Sequence, residues 1–482
     1  MNAGIASLEP KQVWSEFANI LQIPRPSGHE EKLAEYLINF AHDHNYAAAL
    51  DASGNVIIKA EATLGRENSP KVILQAHMDM VPVALDSVKH DFLKDPIDAY
   101  IDNDFVKAHG TTLGADDGIG IATILAILAD KKLSHGPLTA IFTVEEETTM
   151  KGALGVSCDA LQGDYLINLD SEENGLLYIG CAGSCDVNLS FKAERIKVED
   201  CAGIKLNLSG FLGGHSGSDI HLGRANAISL LALILNELSG SFDFFISSFT
   251  GGIVRNSIPS KASVCLNLPK EHLADFKAAC TEAFNKAISA YARLEKEAEL
   301  SFEEHEVQEC LSYAQSLELV SLLLALPHGV VRLSDIDPSI VETSVNLGTV
   351  KTAEQSIDIC LMPRSLKESG LDEIIAKIEA CAQLLDNVEI SHEHRHACWL
   401  SSDHNTLIDS MQSACESLGL KRMKITLMHA GLETATFAET APNLQLVSLG
   451  ATILNPHSPQ ERVNIQGVGE IYQIVRNTLA RL

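Results

Sequence analysis

Five short clusters of acidic or histidine residues constrain this chain more than any other feature, because apolar runs that read as buried strands lead into them. His77-Met78-Asp79 follows Val72-Ile73-Leu74, and Glu146-Glu147 follows Leu138-Thr139-Ala140-Ile141-Phe142. Asp170 follows Leu166-Ile167-Asn168-Leu169, His457 lies beyond Leu446-Val447-Ser448-Leu449, and Asp116-Asp117 sits in a glycine loop. One polar residue at a strand end carries little information. Five point to a single pocket at the carboxyl edge of a parallel sheet, where open α/β sheets place their sites. Carboxylates combined with neutral imidazoles suit zinc or a similar divalent cation.

A chain of 482 residues exceeds one ordinary domain, so two or more are expected. The net charge of −28 argues against nucleic acid as a partner, since phosphate binding needs a basic surface. The longest apolar stretch, Ile119 to Ala129, is too short to span a bilayer, and Met1-Asn2-Ala3-Gly4 lacks the features of a secretory signal. Eleven scattered cysteines fit reduced thiols, so a cytoplasmic protein without membrane partners is expected. Cys181 and Cys185 are spaced CxxxC, which is neither the usual zinc nor the thioredoxin spacing.

The N-terminal region reads as helical. Ser27 and Glu30 have capping-box spacing, and Leu33, Tyr36, Leu37 and Phe40 recur at helical intervals. From Lys71 to Asp170, short apolar strands alternate with a helix at Ile119 to Ala129, the pattern of a parallel sheet with crossover helices. After about residue 186 the period changes to two, as in Val187 to Phe191 and Ile204 to Leu208. Helical runs follow at Ala225 to Leu238 and Leu273 to Leu294, and near residue 395 the helix-then-buried-strand pattern returns with Thr406 to Leu418 and Leu444 to Leu449. The expectation is an α/β fold: a mixed, mostly parallel sheet flanked by helices, with an inserted α+β domain. Its first part would span 1–186, the insert 187–394 and the second part 395–482.

The clusters divide chemically. His77 and Asp79, two apart on a strand, point the same way, so Asp79 either ligates or steadies an imidazole. Asp116 and Asp117 precede a helix, where a capping role is the plain alternative. In Glu145-Glu146-Glu147, adjacent strand-end carboxylates can share work, one binding metal and one moving protons. Asp170 alone would pass for the start of a polar loop, and His457 for a structural histidine between prolines. All five at strand ends make the bland readings jointly implausible.

Outside these clusters, His392, His394 and His396 alternate and would share one face of a solvated strand. Gly213-Gly214-His215-Ser216-Gly217 places a histidine in a glycine loop, either a plain turn or a mobile segment carrying a substrate-binding group. Asn256 and Arg364 are comparable, and an arginine suits a substrate carboxylate.

Taken together, His77-Met78-Asp79, Gly114-Ala115-Asp116-Asp117-Gly118, Glu146-Glu147, Asp170 and His457 resemble the M20 family of di-zinc peptidases. Further stretches resemble its dipeptidase branch: Ile23-Pro24-Arg25-Pro26-Ser27, His90-Asp91-Phe92, Lys94-Asp95-Pro96, Cys181-Ala182-Gly183 and His429-Ala430-Gly431-Leu432-Glu433. This resemblance implies hydrolysis of dipeptides, Xaa-His among them, by a catalytic domain carrying an inserted lid. Asp116 would bridge two divalent ions, zinc or else cobalt or manganese. Glu147 and His457 would complete one site, His77 and Asp170 the other. Asp79 would stand behind His77, and Glu146 would transfer the proton. His215, Asn256, Arg364 and Gly431 would bind substrate, and two subunits would pair through the lid. An N-acyl amino-acid deacylase or tripeptidase, or a non-catalytic dimerising scaffold, are the alternatives. Two positions depart from the family pattern: Asp117, where several relatives carry Asn, and Thr434-Ala435, where look-alikes often have Cys-Gly.

Overall fold

The computed structural model describes residues 2, 4–401 and 405–482. The chain forms two compact units. The first comprises Met1–Cys181, Trp399–Leu427 and Leu432–Leu482, and the second Ala182–Cys398 with Met428–Gly431.

The first unit is built on a mixed sheet. Across it run Ala47–Leu50, Val56–Ala60, Leu138–Thr143, Val72–His77, Tyr165–Asn168, Gln445–Ser448, Leu176–Cys181 and Trp399–Leu400, with Lys424–Met428 also beside Leu176–Cys181. The four central strands, from Leu138–Thr143 to Gln445–Ser448, are mutually parallel. Both margins are antiparallel. The sheet is therefore less parallel than the βα alternation suggested. The central strands are buried on both faces, as the Val72–His77 strand shows along its whole length, and this explains their continuous apolar runs. Helices Lys11–Ile20, Glu31–Asp43, Ala115–Leu128, Thr406–Ser417 and Ile465–Arg481 contribute to the same apolar core.

One local expectation fails. Ser27 and Glu30 form no capping box: the Ser27 hydroxyl donates to Asp79 Oδ2 at 2.7 Å, and Glu30 Oε1 accepts from the Gly28 and Glu145 amides. The central helix spans Ala115–Leu128, but Asp116 (φ −82°, ψ 109°) and Asp117 (φ −106°, ψ 36°) are non-helical, so both precede its regular turns, as the sequence places them. This helix is buried throughout.

The second unit is an antiparallel sheet in the order Glu299–His305, Cys201–Ser209, Ala262–Pro269, Phe245–Gly251, Val341–Thr352, Ser356–Ser365, Gly183–Lys192 and Val388–His396, with Gly329–Leu333 also pairing Val341–Thr352. Alternating residues such as Val187, Leu189 and Phe191 enter a core shared with helices Ala227–Leu238, Leu273–Ile288, Tyr313–Ala325 and Glu368–Ala382. The period-two reading of these strands thus holds. His392, His394 and His396 lie on the Val388–His396 strand but share no single face, because a bulge between Glu393 and His396 places His394 at φ 47°. None of the eleven cysteines, all among the described residues, forms a disulfide. Among the described residues no helix is long and apolar enough to cross a membrane.

Candidate metal centre

The carboxyl ends of the central strands bring the five clusters together. His77 closes its strand, Asp170 lies two residues beyond Asn168, and Glu146-Glu147 lie just past Thr143. The Asp116 carboxylate occupies the middle. Its Oδ1 lies 3.0 Å from His77 Nε2 and its Oδ2 lies 3.0 Å from His457 Nε2. His77 Nε2 is also 3.2 Å from Asp170 Oδ1, and His457 Nε2 is 2.9 Å from Glu147 Oε1. Three donor groups result: His77 with Asp116 and Asp170, His457 with Asp116 and Glu147, and His77 with Glu146 and Glu147. In each, one nitrogen or oxygen per residue lies within 4.8 Å of the others.

Asp79 lies beyond the strand end rather than on it, yet still faces His77, with Oδ1 3.3 Å from Nδ1. The same carboxylate accepts the amides of Glu146 at 3.0 Å and Glu147 at 3.2 Å. Asp79 therefore fixes the acidic turn and stands against the His77 ring, whose Nδ1 has no hydrogen-bond partner among the described residues.

The Asp116 loop is held by groups that sequence reading did not single out. Glu461, 2% exposed, accepts the amides of Leu113, Gly114, Ala115 and Asp116 at 2.7, 2.9, 2.7 and 3.4 Å. Buried Arg25 donates to the carbonyls of Met78, Asp79 and Gly114, joining the His77 strand end to this loop. Gly114 has φ +69°, and a Cβ there would lie 2.8 Å from Arg25 Nη2, so the glycine is required. At Gly120 a Cβ would collide with Asp117 Oδ1, which accepts the Gly120 amide. Asp117 thus caps its own helix turn. Arg25 had a signal in its proline-flanked motif; Glu461 had none.

Electrostatics separate the carboxylates. Burial opposes ionisation of Asp116, but His457 and His77 outweigh it and hold its pKa far below the usual carboxylate range. Burial pushes Asp170 up to about 6 and Glu147 up to about 7, against the pull of the imidazoles. Burial lifts Glu146 well above its ordinary value; His77 opposes this, while Asp170, Glu147 and Glu433 add to it. Burial disfavours a charged His457, yet Asp116 and Glu147 raise it to about 11. Carboxylates outnumber imidazoles in a space that disfavours unbalanced charge. Two divalent cations would neutralise it, and the nitrogen and oxygen donors fit zinc-like ions.

In the second unit, His215 lies on a two-residue strand paired with Ser257–Ile258. Its neighbour Ser216 receives Arg364 Nε on its hydroxyl at 3.3 Å and donates its amide to the Asn256 carbonyl at 2.8 Å. Ser216 therefore draws His215, Asn256 and Arg364 into one neighbourhood. His429, two residues before Gly431, joins them: Gly217 packs against its carbonyl, and its Nε2 lies 2.7 Å from Ser344 Oγ. Burial, with Arg364, His215 and His221 nearby, depresses His429 to about 3, so its ring is neutral.

Comparison with known proteins agrees with this geometry. The model of peptidase family M20/M25/M40 matches residues 73–481. The chain is 37% identical to the cytosol non-specific dipeptidase of Escherichia coli (strain K12), over 99% of each sequence. It superposes on the aminoacylhistidine dipeptidase of Vibrio alginolyticus with a TM-score of 0.83 at 36% identity, covering 99% of this chain and 98% of the other. The aminopeptidase PepT of Bacillus cereus, at 14% identity and a TM-score of 0.58 over 98% of each chain, shares the fold alone. With its sheet, its strand-end carboxylates and these similarities, the chain belongs to peptidase family M20/M25/M40.

Proposed function

We propose that this protein is a metal-dependent dipeptidase of the cytosol, acting on dipeptides that include Xaa-His. The observation that carries the reading is Asp116, whose two oxygens each face one imidazole at 3.0 Å, the disposition of a carboxylate shared by two cations. Relatives named as dipeptidases over nearly the full length support the substrate class, and the first of them is named as cytosolic.

Asp116 would be shared by both ions, with His77 and Asp170 completing one set and Glu147 and His457 the other. Such a pair, zinc or else cobalt or manganese, would supply Lewis acidity, acidifying a water and polarising the scissile carbonyl. Glu146 then accepts the proton of the attacking water and returns it to the leaving amine. One water is consumed, the C–N bond breaks, and a carboxylate and an amine leave. Asp79 keeps the acidic turn and His77 in register during this exchange. In the second unit, Arg364 and His215 would hold the substrate carboxylate, with Asn256 and Gly431 as further binding groups. Two copies would pair through that unit.

The test is a panel of dipeptides, including Xaa-His and Cys-Gly, with acetylated amino acids and a tripeptide alongside. Turnover of dipeptides is expected, lost with chelator and restored by zinc. Cleavage of the acetylated compounds alone would overturn the reading.

A further inference from the structure

Strands buried on both faces of a parallel sheet are ordinarily apolar. Here three adjacent central strands break that rule at the same level, and the fourth breaks it one step higher. Gln75, Asn168 and Ser448, all fully buried, stand side by side across the sheet, while Thr143, equally buried, stands opposite His77. Gln75 lies two residues before His77 and Asn168 two before Asp170, so Gln75, Asn168 and Ser448 form the tier beneath the ligands, and Thr143 joins them from the level of His77.

Their hydrogen bonds run in one direction. The Ser448 hydroxyl donates to Asn168 Oδ1, Asn168 Nδ2 donates to Gln75 Oε1 at 2.6 Å, and Gln75 Nε2 donates to Glu433 Oε2 at 2.5 Å. Thr143 Oγ1 donates to the same Glu433 oxygen at 2.7 Å, and Ser171 Oγ lies 2.6 Å from Ser448 Oγ at the far end. The ladder touches the centre directly, since Asn168 Oδ1 also accepts the Asp170 amide at 3.4 Å. Glu433, fully buried at the start of helix Glu433–Thr440, is the terminal acceptor. Apolar side chains would fill the same space without the desolvation cost of six polar groups. What the network adds is a single geometry, although Glu433 Oε1 has no hydrogen-bond partner among the described residues.

We propose that this ladder is a positioning device for the His77–Asp170 half of the centre: it sets the spacing of those two ligands and hence that half's affinity for its cation. The inference rests on the metal reading of the site given above. Partners behind metal ligands commonly control affinity by about 10–100-fold.

The experiment titrates metal-free protein with zinc against a chromophoric chelator. The unaltered protein should take up two equivalents. Gln75→Met, similar in volume and without a donor, should weaken one equivalent at least tenfold. The other, held by Glu147 and His457, should stay within threefold. Glu433→Leu should do the same, and Glu433→Gln, which keeps the accepting oxygen, should restore binding; this pair serves if Gln75→Met does not fold. Unchanged binding in Gln75→Met and Glu433→Leu, or equal weakening of both equivalents, overturns the ladder. Unaltered protein that binds no zinc overturns the metal reading and this inference with it, a failure distinct from one confined to the variants.

Discussion

At the scale of single residues, the acidic turn after Thr143 shows how neighbouring carboxylates acquire different tasks. Glu147 lies 2.9 Å from His457 Nε2 and so belongs with the donors of one group. Glu146 is raised by burial and by surrounding acids, and a carboxylate with enhanced proton affinity suits general-base work near neutral pH. Glu146→Gln is therefore expected to lower kcat by about 10²–10⁴-fold, with zinc content by elemental analysis unchanged. A variant retaining most of its turnover would sink the assignment. These residues were legible in the sequence because each sits at the end of an apolar run, where a charge has no reason to be unless the strand leads to a site. Glu461 and Gln75 were not. Glu461 reaches amides 345 or more positions away, and neither local period nor motif marks it as buried. Gln75 interrupts a strand whose other residues look like plain core.

Elements are held in place here by groups borrowed from distant parts of the chain. Asp117 caps the regular turns of helix Ala115–Leu128, and Glu461 gathers the amides of the loop that leads into them. Burial and then Asp116 lift the Glu461 carboxyl to about 7, while the amides pull it back. The apolar run and the aspartates before it advertised the helix, whereas the tertiary contact that holds its lead-in loop left no mark in the sequence. The failed capping box at Ser27 has the same cause: its hydroxyl donates to the Asp79 carboxylate, and Glu30 accepts the Gly28 and Glu145 amides. Glu461→Ala strands several buried donors at about 1–3 kcal/mol each. It should destabilise the protein by roughly 3 kcal/mol or more in urea unfolding, and lower zinc uptake as Asp116 loses its frame. A change of less than about 0.5 kcal/mol, the range of neutral surface substitutions, would show that water replaces the clamp without cost.

For the whole molecule, the change of period near residue 186 marked a transition from a sheet buried on both faces to one with a solvated face, and the structure has both kinds of sheet. The brief return of Met428–Gly431 to the second unit had no signal, because four residues carry no period. That unit leaves one edge conspicuously apolar. Strand Gly329–Leu333 pairs only with Val341–Thr352 among the described residues, and Val330, Val331 and Leu333 are 41%, 40% and 50% exposed. Soluble proteins protect such edges with charge, proline or a partner, because an open row of backbone groups pairs with whatever strand arrives. With a net charge of −28, two copies approach only if the contact repays their repulsion, and apolar area at a sheet edge can do so. If the proposed dimer forms at this strand, light scattering should give twice the chain mass of 52.0 kDa for the unaltered protein. Val331→Glu should give the single-chain mass, since it places two like charges opposite one another at the contact. A variant that keeps the doubled mass would move the interface elsewhere, and an unaltered protein of single-chain mass would remove the dimer altogether.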